Sequence, residues 1–187
     1  MRPSRWQFRP AKSLGRGVFH PLTGMPLRWN LYGHMEIERK FLVKSPPAGW
    51  RHVAKSRIDQ GYFPIASDEL EIRLRRKDAS HFLTIKSGRG RVRVEEEIPI
   101  PRKRFAALWP LTRGSRISKD RYRIPCGKRT IELDVYRPPN RGLRTADIEF
   151  PSKRDSTRFH PPHWLGREIT GNERYANRRL AARPRRT

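Results

Sequence analysis

Charged side chains recur at every second position in six short segments of this 187-residue sequence. These groups of two to four residues are Glu36, Glu38 and Lys40; Arg73 and Arg75; Arg91, Arg93, Glu95 and Glu97; Lys119 and Arg121; Glu132 and Asp134; and Asp147 and Glu149. In a further segment, Lys86 shares a face with Thr84. Alternate residues of a β-strand point to the same face of its sheet. Each segment therefore predicts a strand with one charged face, and acids and bases concentrate on different strands.

This combination of charges predicts a phosphate-rich ligand. Arginine offers paired donors to phosphate oxygens, and lysine offers a compact positive charge. Carboxylates held close together repel one another unless a cation lies among them, and oxygen ligands suit magnesium or manganese, which bridge to substrate phosphates. The pattern predicts a metal-bound polyphosphate held for attack at phosphorus, a reaction that depends mostly on positioning and charge neutralisation.

Two arrangements of such strands are open. In an ordinary sandwich the apolar faces pack inward and the charges lie in water, as charged runs usually do. In the alternative, the charged faces line the interior of a barrel of about eight strands, which has room for one small ligand. Charges inside a barrel must be paired, hydrated or bound to ligand. The recurrence and segregation of the charges favour the barrel, with its apolar face packed outward against helices.

Period-two alternation with intervening turn residues predicts eight strands. They are Glu36–Val43, Lys55–Phe63, Glu69–Arg76, His81–Lys86, Arg91–Ile100, Arg116–Ile124, Thr130–Tyr136 and Thr145–Phe150. Helices are predicted at Pro101–Trp109, with Pro101 suited to its first position, and at Lys153–Arg158 and Glu173–Ala182. The predicted fold is α+β: an eight-stranded antiparallel β-barrel, or tunnel, with a charged interior and flanking helices.

The composition narrows the class of protein. The chain has 43 Lys plus Arg against 18 Asp plus Glu, a formal net charge of +25 that indicates an anionic partner. No apolar run approaches the ~18 residues of a membrane span, so no membrane association is expected. The only cysteine, Cys126, allows no internal disulfide, which fits a reducing compartment and predicts a cytoplasmic location.

Three regions are expected along the chain. Residues 1–34 hold six basic residues, no acid and four prolines, which predicts a basic disordered extension, or sequence upstream of a true start at Met35, rather than a targeting peptide. Residues 35–180 carry the patterned strands and are predicted to form the domain. Residues 181–187 are predicted to be a basic tail.

The motifs resemble one family. Glu36-Ile37-Glu38-Arg39-Lys40 matches the ExExK motif of the CYTH proteins, also called triphosphate tunnel metalloenzymes. The resemblance extends in order from Met35 to Leu180 through Gln60-Gly61-Tyr62, Glu71-Ile72-Arg73-Leu74-Arg75, Thr84-Ile85-Lys86, Glu95-Glu96-Glu97-Ile98, Lys119-Asp120-Arg121-Tyr122, Ile131-Glu132-Leu133-Asp134-Val135, Asp147-Ile148-Glu149-Phe150 and Glu173-Arg174-Tyr175-Ala176-Asn177.

The resemblance implies an eight-stranded tunnel that hydrolyses or cyclises triphosphate compounds with Mg²⁺ or Mn²⁺, and it implies roles for individual residues. The implied metal ligands are Glu36, Glu38 and Glu149, with Glu132, Asp134 and Asp147 nearby. The implied triphosphate ligands are Arg73, Arg75, Lys86, Lys119 and Arg121, with Arg93 less certain. Lys40 is implicated in orienting or activating the attacking water. Asp147 departs from the family pattern, where small bacterial relatives usually carry glutamate.

Several functions are compatible with these motifs. The favoured one is hydrolysis of inorganic tripolyphosphate, because no adenine pocket is evident in the sequence. A class IV adenylate cyclase acting on ATP and a thiamine triphosphatase use the same chemistry. A basic nucleic-acid-binding module would explain the charge of +25 and the basic ends, but not the paired acids. A monomer or a homodimer is expected.

Overall fold

The computed structural model describes residues 37–65, 70–87 and 94–183. All of them belong to one unit of structure, which spans Tyr32–Thr187. The predicted extension 1–34, the predicted start at Met35, the site residues Glu36 and Arg93, and the end of the basic tail lie outside the described residues, so these expectations stay predictions.

Alternating sequences form eight strands, as predicted. They are β1 (Ile37–Leu42), β2 (Lys55–Tyr62), β3 (Leu70–Lys77), β4 (Ser80–Ser87), β5 (Val94–Pro99), β6 (Arg116–Cys126), β7 (Arg129–Tyr136) and β8 (Arg144–Phe150). The strands form one antiparallel sheet in the order β1-β8-β7-β6-β2-β3-β4-β5. This confirms the predicted α+β fold with an eight-stranded antiparallel sheet.

Tight turns fix the register of two hairpins. Lys77 pairs with Ser80, which leaves Asp78 and Ala79 as the turn between β3 and β4, and Asp78 has a φ of 53°. Cys126 pairs with Arg129, and the β6–β7 turn contains Gly127 at a φ of 58°. Two-residue hairpin turns of this kind need positive φ angles. Since a shift of one residue would exchange the two faces of a strand, these turns help to decide which side chains share a face.

The helices are short. They are a 3₁₀ turn at Trp50–His52, α1 (Arg102–Leu108), a 3₁₀ turn at Trp109–Thr112, α2 (Lys153–Arg158), a 3₁₀ turn at Glu173–Tyr175 and α3 (Asn177–Ala182). Pro101 is extended and precedes α1 as its cap. The single helix predicted over Glu173–Ala182 is wrong, because Ala176 has an extended ψ of 134° and divides it into two. Within the described ranges, no helix is long and apolar enough to cross a membrane.

One face of the sheet, here called the apolar face, carries the main hydrophobic cluster. Its buried members are Phe41, Val43, Ile124, Ile131, Leu133, Ala146, Ile148, Phe150 and Leu165. Trp50, Phe159 and Trp164 pack against them. The prediction that helices cover this face is therefore only partly right. Much of the cover comes from the irregular chain that contains Phe159, Trp164 and Leu165. Helix α1 contributes Phe105, whose ring centroid lies 4.7 Å from the ring centroid of His81.

A second hydrophobic cluster lies at one end of the opposite face. It joins strand residues to the C-terminal segment and contains Tyr62, Ile117, Tyr136, Leu143, Ile169, Tyr175, Leu180 and Ala181. Tyr136 donates a hydrogen bond from its hydroxyl to Asn177 at 2.9 Å, and Asn140 donates its amide to the Leu180 carbonyl at 3.2 Å. The C-terminal segment, including α3, is thereby fixed against the end of the sheet that carries these tyrosines.

Candidate active site

The strand register gathers the predicted site residues on the face opposite the apolar face, here called the charged face. Directly opposed residues of neighbouring strands share a face. Lys40 is opposite Asp147, Glu132 is opposite Asp147, and Arg121 is opposite Asp134. Farther along the sheet, Gln60 is opposite Arg75, Arg73 is opposite Thr84, and Lys86 is opposite Glu95. Every predicted site residue that the structure describes is therefore on the charged face.

The first ionic cluster, here called the Asp134 cluster, spans β6, β7, β8 and β1. Its members are Lys40, Lys119, Arg121, Glu132, Asp134 and Asp147. Asp134 is fully buried; it accepts from Arg121 at 2.7 and 2.8 Å and also from Lys119. Arg121 also donates to Glu132 and, at 3.5 Å, to Asp147. With Lys40 paired to Asp147, three carboxylates and three cations form one network.

Burial and charge move the pKa values in this cluster in opposite directions. Burial disfavours the charged form of Asp134, but Lys119 and Arg121 outweigh it and hold the pKa of the carboxyl well below its usual range. Burial lowers the pKa of Lys119 to about 8, and although Asp134 opposes the shift, the cations Arg121 and Lys40 add to it. The predicted metal ligand Asp134 is accordingly an ionised counter-ion to two buried cations.

Lys40 also acts as a cation in this structure. Its Nζ donates to Asp147 Oδ1 at 2.7 Å. Burial favours loss of the proton, but Asp147, with Asp134 and Glu38 farther off, more than compensates and raises the pKa of Lys40 above its ordinary value. A lysine can serve as a base near neutral pH only if its pKa is depressed. The ion pair therefore favours the orienting role over the activating role that the sequence left open.

The second ionic cluster, here called the Arg75 cluster, spans β3, β4 and β5. Its members are Glu71, Arg73, Arg75, Lys86, Glu95 and Glu97. Arg73 lies 3.6 Å from Glu95 and 3.9 Å from Glu71, and Arg75 pairs with Glu97. The three glutamates were absent from the predicted site. Glu95 and Glu97 alternate along β5, but their pairing with arginines of β3 depends on a register that the sequence does not reveal.

Strand β2 separates the two clusters and brings no charge to the charged face. Ile58, Gln60 and Tyr62 alternate on that side, and all three are buried. Burial, partly offset by Arg73, raises the pKa of the Tyr62 hydroxyl well above its usual range. These residues were also absent from the predicted site, because charged pairs predicted that site and this strand presents an amide and a phenol instead.

The carboxylates suit a divalent cation, although they form no complete ligand set by themselves. Glu38 is directly opposite Glu149, and both are exposed. Two carboxylates directly opposite each other on neighbouring strands can bind the same cation. Across residues 37–65, 70–87 and 94–183 no group of three or more histidine, cysteine or acidic side chains is assembled for a metal. Mg²⁺ commonly binds one or two carboxylates and completes its shell with waters and substrate phosphates, so the pair fits the ion.

Comparisons with known proteins agree with this architecture. No protein-family model matches the chain. An inorganic triphosphatase from Nitrosomonas europaea is 42% identical over 148 residues, which cover 78% of this chain and 96% of the relative. An inorganic triphosphatase from Acetivibrio thermocellus is 34% identical over 153 residues, covering 80% of this chain and 94% of the relative.

A solved structure extends the agreement to the fold. The crystal structure of an inorganic triphosphatase matches with a TM-score of 0.64 and 37% identity, covering 81% of this chain and 97% of that chain. The sheet, its charged face and these similarities lead to the same assignment. The chain belongs to the CYTH family of triphosphate tunnel metalloenzymes, as the ExExK motif and the motifs that follow it predicted.

Proposed function

We propose that this protein hydrolyses inorganic tripolyphosphate with the help of Mg²⁺ or Mn²⁺ bound on the charged face. The observation that carries the proposal is the gathering of Arg73, Arg75 and Arg121 with Lys86 and Lys119 on one face, each beside a carboxylate. The names of the relatives, which are inorganic triphosphatases, support the same substrate.

The basic side chains bind the substrate by exchanging partners. In the free protein the Arg75 cluster and the Asp134 cluster neutralise their own cations with glutamates and aspartates. A triphosphate offers many anionic oxygens to the same donors, and arginine can bind two of them at once. Arg73, Arg75 and Lys86 would hold one part of the chain of phosphates, while Lys119 and Arg121 would hold the other. The residues ordered by ion pairs beforehand lose little freedom when the substrate binds.

The exposed carboxylates would hold the metal. Glu38 and Glu149 would be its first ligands, with Glu132 and Asp147 close enough in register to contribute directly or through water. When bound, Mg²⁺ or Mn²⁺ would neutralise charge on the phosphate oxygens. Asp134 would keep Lys119 and Arg121 in place rather than bind the ion, because both of its oxygens accept hydrogen bonds from them.

Lys40 would orient the attacking water or the terminal phosphate as a positive charge. Its ion pair with Asp147 and its pKa, which that carboxylate raises in the metal-free protein, support a protonated lysine. Phosphoryl transfer depends largely on positioning and electrostatic stabilisation, so a fixed cation beside the reacting phosphate contributes without accepting a proton.

A cytoplasmic location is also proposed, supported by the single cysteine of the chain.

The proposal is tested by measuring phosphate release from tripolyphosphate, pyrophosphate, ATP and thiamine triphosphate with Mg²⁺ or Mn²⁺, with the ATP reaction also assayed for cyclic AMP. We expect tripolyphosphate to give the highest kcat/KM. Cyclic AMP as the main product from ATP would instead favour the adenylate cyclase, and a preference for thiamine triphosphate would favour the thiamine triphosphatase. Absence of turnover on every substrate, with DNA or RNA bound in a salt-dependent manner, would contradict an enzyme.

Substitution of Glu38 tests the metal assignment in the same assay. Glu38→Gln should lower metal-dependent phosphate release at least ~100-fold, since removal of one charged ligand weakens a two-carboxylate site, while the melting temperature stays unchanged because the side chain is exposed. Glu96→Gln is the matched control: Glu96 is an exposed carboxylate opposite Ile85, on the other face of the sheet. Retained turnover in Glu38→Gln would exclude Glu38 as a ligand.

A further inference from the structure

The buried amide of Gln60 lacks a partner for its oxygen. Gln60 lies in β2 on the charged face and is only 3% exposed. Its Oε1 has no hydrogen-bond partner among the described residues. A buried acceptor left unsatisfied costs on the order of 1–3 kcal/mol, and most buried polar groups in proteins are hydrogen-bonded for that reason. The cost indicates that Gln60 Oε1 has a partner outside the described residues.

The neighbours of Gln60 show the same feature. Arg75 is directly opposite Gln60, and Arg73 is opposite Tyr62, one alternate position along the same strands. The Nε atoms of Arg73 and Arg75 are buried and have no partner in the described part of the chain, although their terminal nitrogens pair with Glu95 and Glu97. Two donors and one acceptor are thus held side by side without partners. Among the described residues, three of the four buried side-chain atoms without a hydrogen-bond partner lie on this patch of the charged face.

We propose that Gln60 is a positioning residue that holds an ordered water, through Oε1, against the phosphoryl group bound by Arg73 and Arg75. The inference rests on the proposed function, and it deepens it by assigning one part of the substrate site. Phosphate oxygens would satisfy the two Nε donors. A fully ionised phosphate has no hydrogen to give to an amide oxygen, but a water can donate one hydrogen to Gln60 and the other to a phosphate oxygen. Such bridging waters are nearly as favourable as direct hydrogen bonds.

The position of Gln60 between the two ionic clusters indicates what this water would do. β2 lies between β6 and β3 in the sheet, and Gln60 is opposite Ile117 on one side and Arg75 on the other. Arg121 and Lys119 begin the Asp134 cluster on the β6 side, whereas Arg75 begins the other cluster. A charged residue at position 60 would attract or repel the whole substrate. A neutral acceptor instead fixes the orientation of the phosphate that crosses from one cluster to the other.

The test replaces Gln60 with methionine, which has a similar length and shape but no amide, and with leucine as a second variant. We expect KM for tripolyphosphate to rise about tenfold, since one bridging hydrogen bond is lost, with a smaller change in kcat. The melting temperature of the substrate-free protein should stay the same or increase, because an unsatisfied buried acceptor has been removed. A residue with a structural role only would give the reverse, a lower melting temperature and an unchanged KM.

Ile58 provides the matched control. It is also buried, at 3% exposure, on the charged face of β2, but it has no polar atom. Ile58→Val should lower the melting temperature slightly, as loss of one buried methylene does, and leave KM unchanged. If the wild type hydrolyses tripolyphosphate and both Gln60 variants keep its KM, the role of Gln60 is overturned while the proposed function stands. If the wild type itself is inactive, the proposed function fails first.

Discussion

Two carboxylates on the charged face each pair with more than one cation. Asp134 accepts from both Lys119 and Arg121, and Asp147 contacts Lys40 and Arg121. Such shared ion pairs compensate for the burial of Lys119, which is 2% exposed. Removal of Asp134 therefore leaves the buried Lys119 without its counter-ion, whereas Arg121 keeps Glu132 and Asp147. The cost of burying an unpaired charge is much larger than the net gain of forming a pair.

Substitution of Asp134 should consequently unfold the protein more easily. We expect Asp134→Asn to lower the free energy of unfolding by about 3–5 kcal/mol, the usual cost of breaking a buried ion pair, as measured by chemical denaturation without substrate or metal. Asp120→Asn is the control, because Asp120 pairs with Arg137, whose side chain is 45% exposed, and exposed pairs contribute under ~1 kcal/mol. Equal losses in the two variants would contradict the structural role of Asp134.

At the scale of elements, a polar network on the other side of the sheet joins three strands. Asp59 of β2 accepts from Arg57 of the same strand, from Arg76 of β3 at 2.7 Å and from Ser118 of β6. Burial disfavours the charged carboxylate, but these hydrogen bonds outweigh it and lower the pKa of Asp59. The network fixes the position of β2, the strand that carries Gln60, between its two neighbours.

The lowered pKa of Asp59 predicts a pH dependence of stability. A carboxyl whose pKa is lower in the folded state contributes stability above its unfolded pKa of about 3.9 and loses it as the pH falls through the folded value. The difference in unfolding free energy between the wild type and Asp59→Asn should therefore be full at pH 7 and shrink below pH ~4. Chemical denaturation of both proteins at pH 7 and below pH ~4 measures this difference in unfolding free energy. A difference that stays constant on acidification would contradict a lowered pKa of Asp59.

Much of this element level follows from local patterns. Period-two alternation predicted all eight strands, and the charged pairs predicted the shared face of residues as distant as Lys40 and Arg75, because such patterning is a local property of the chain. Three features were beyond its reach. The break at Ala176 depends on the packing of Tyr175 and Leu180 against the sheet. The pairing of Glu97 with Arg75 depends on the register of the strands. Gln60 draws attention only because its buried Oε1 has no hydrogen-bond partner among the described residues.

At the scale of the whole molecule, the family motifs run from Met35 to Leu180, and residues 1–34 lie outside them. A protein that lacks residues 1–33 should therefore keep the melting temperature of the full chain and its kcat/KM for tripolyphosphate. Calorimetry and the phosphate-release assay compare the two. A large loss in either measurement would make the segment part of the functional fold.

If one face of the sheet binds triphosphate, substitution of two adjacent arginines of β3 should distinguish that face from the other. Arg75 is on the charged face opposite Gln60, whereas Arg76 is opposite Asp59 on the other face and pairs with it. The measurement is the Kd of metal-free protein for tripolyphosphate by titration calorimetry. We expect Arg75→Ala to weaken binding at least ~10-fold, as loss of a charge-assisted contact does, and Arg76→Ala to change it less than ~2-fold. Equal effects, a larger effect at Arg76, or no binding to the wild type would contradict the account.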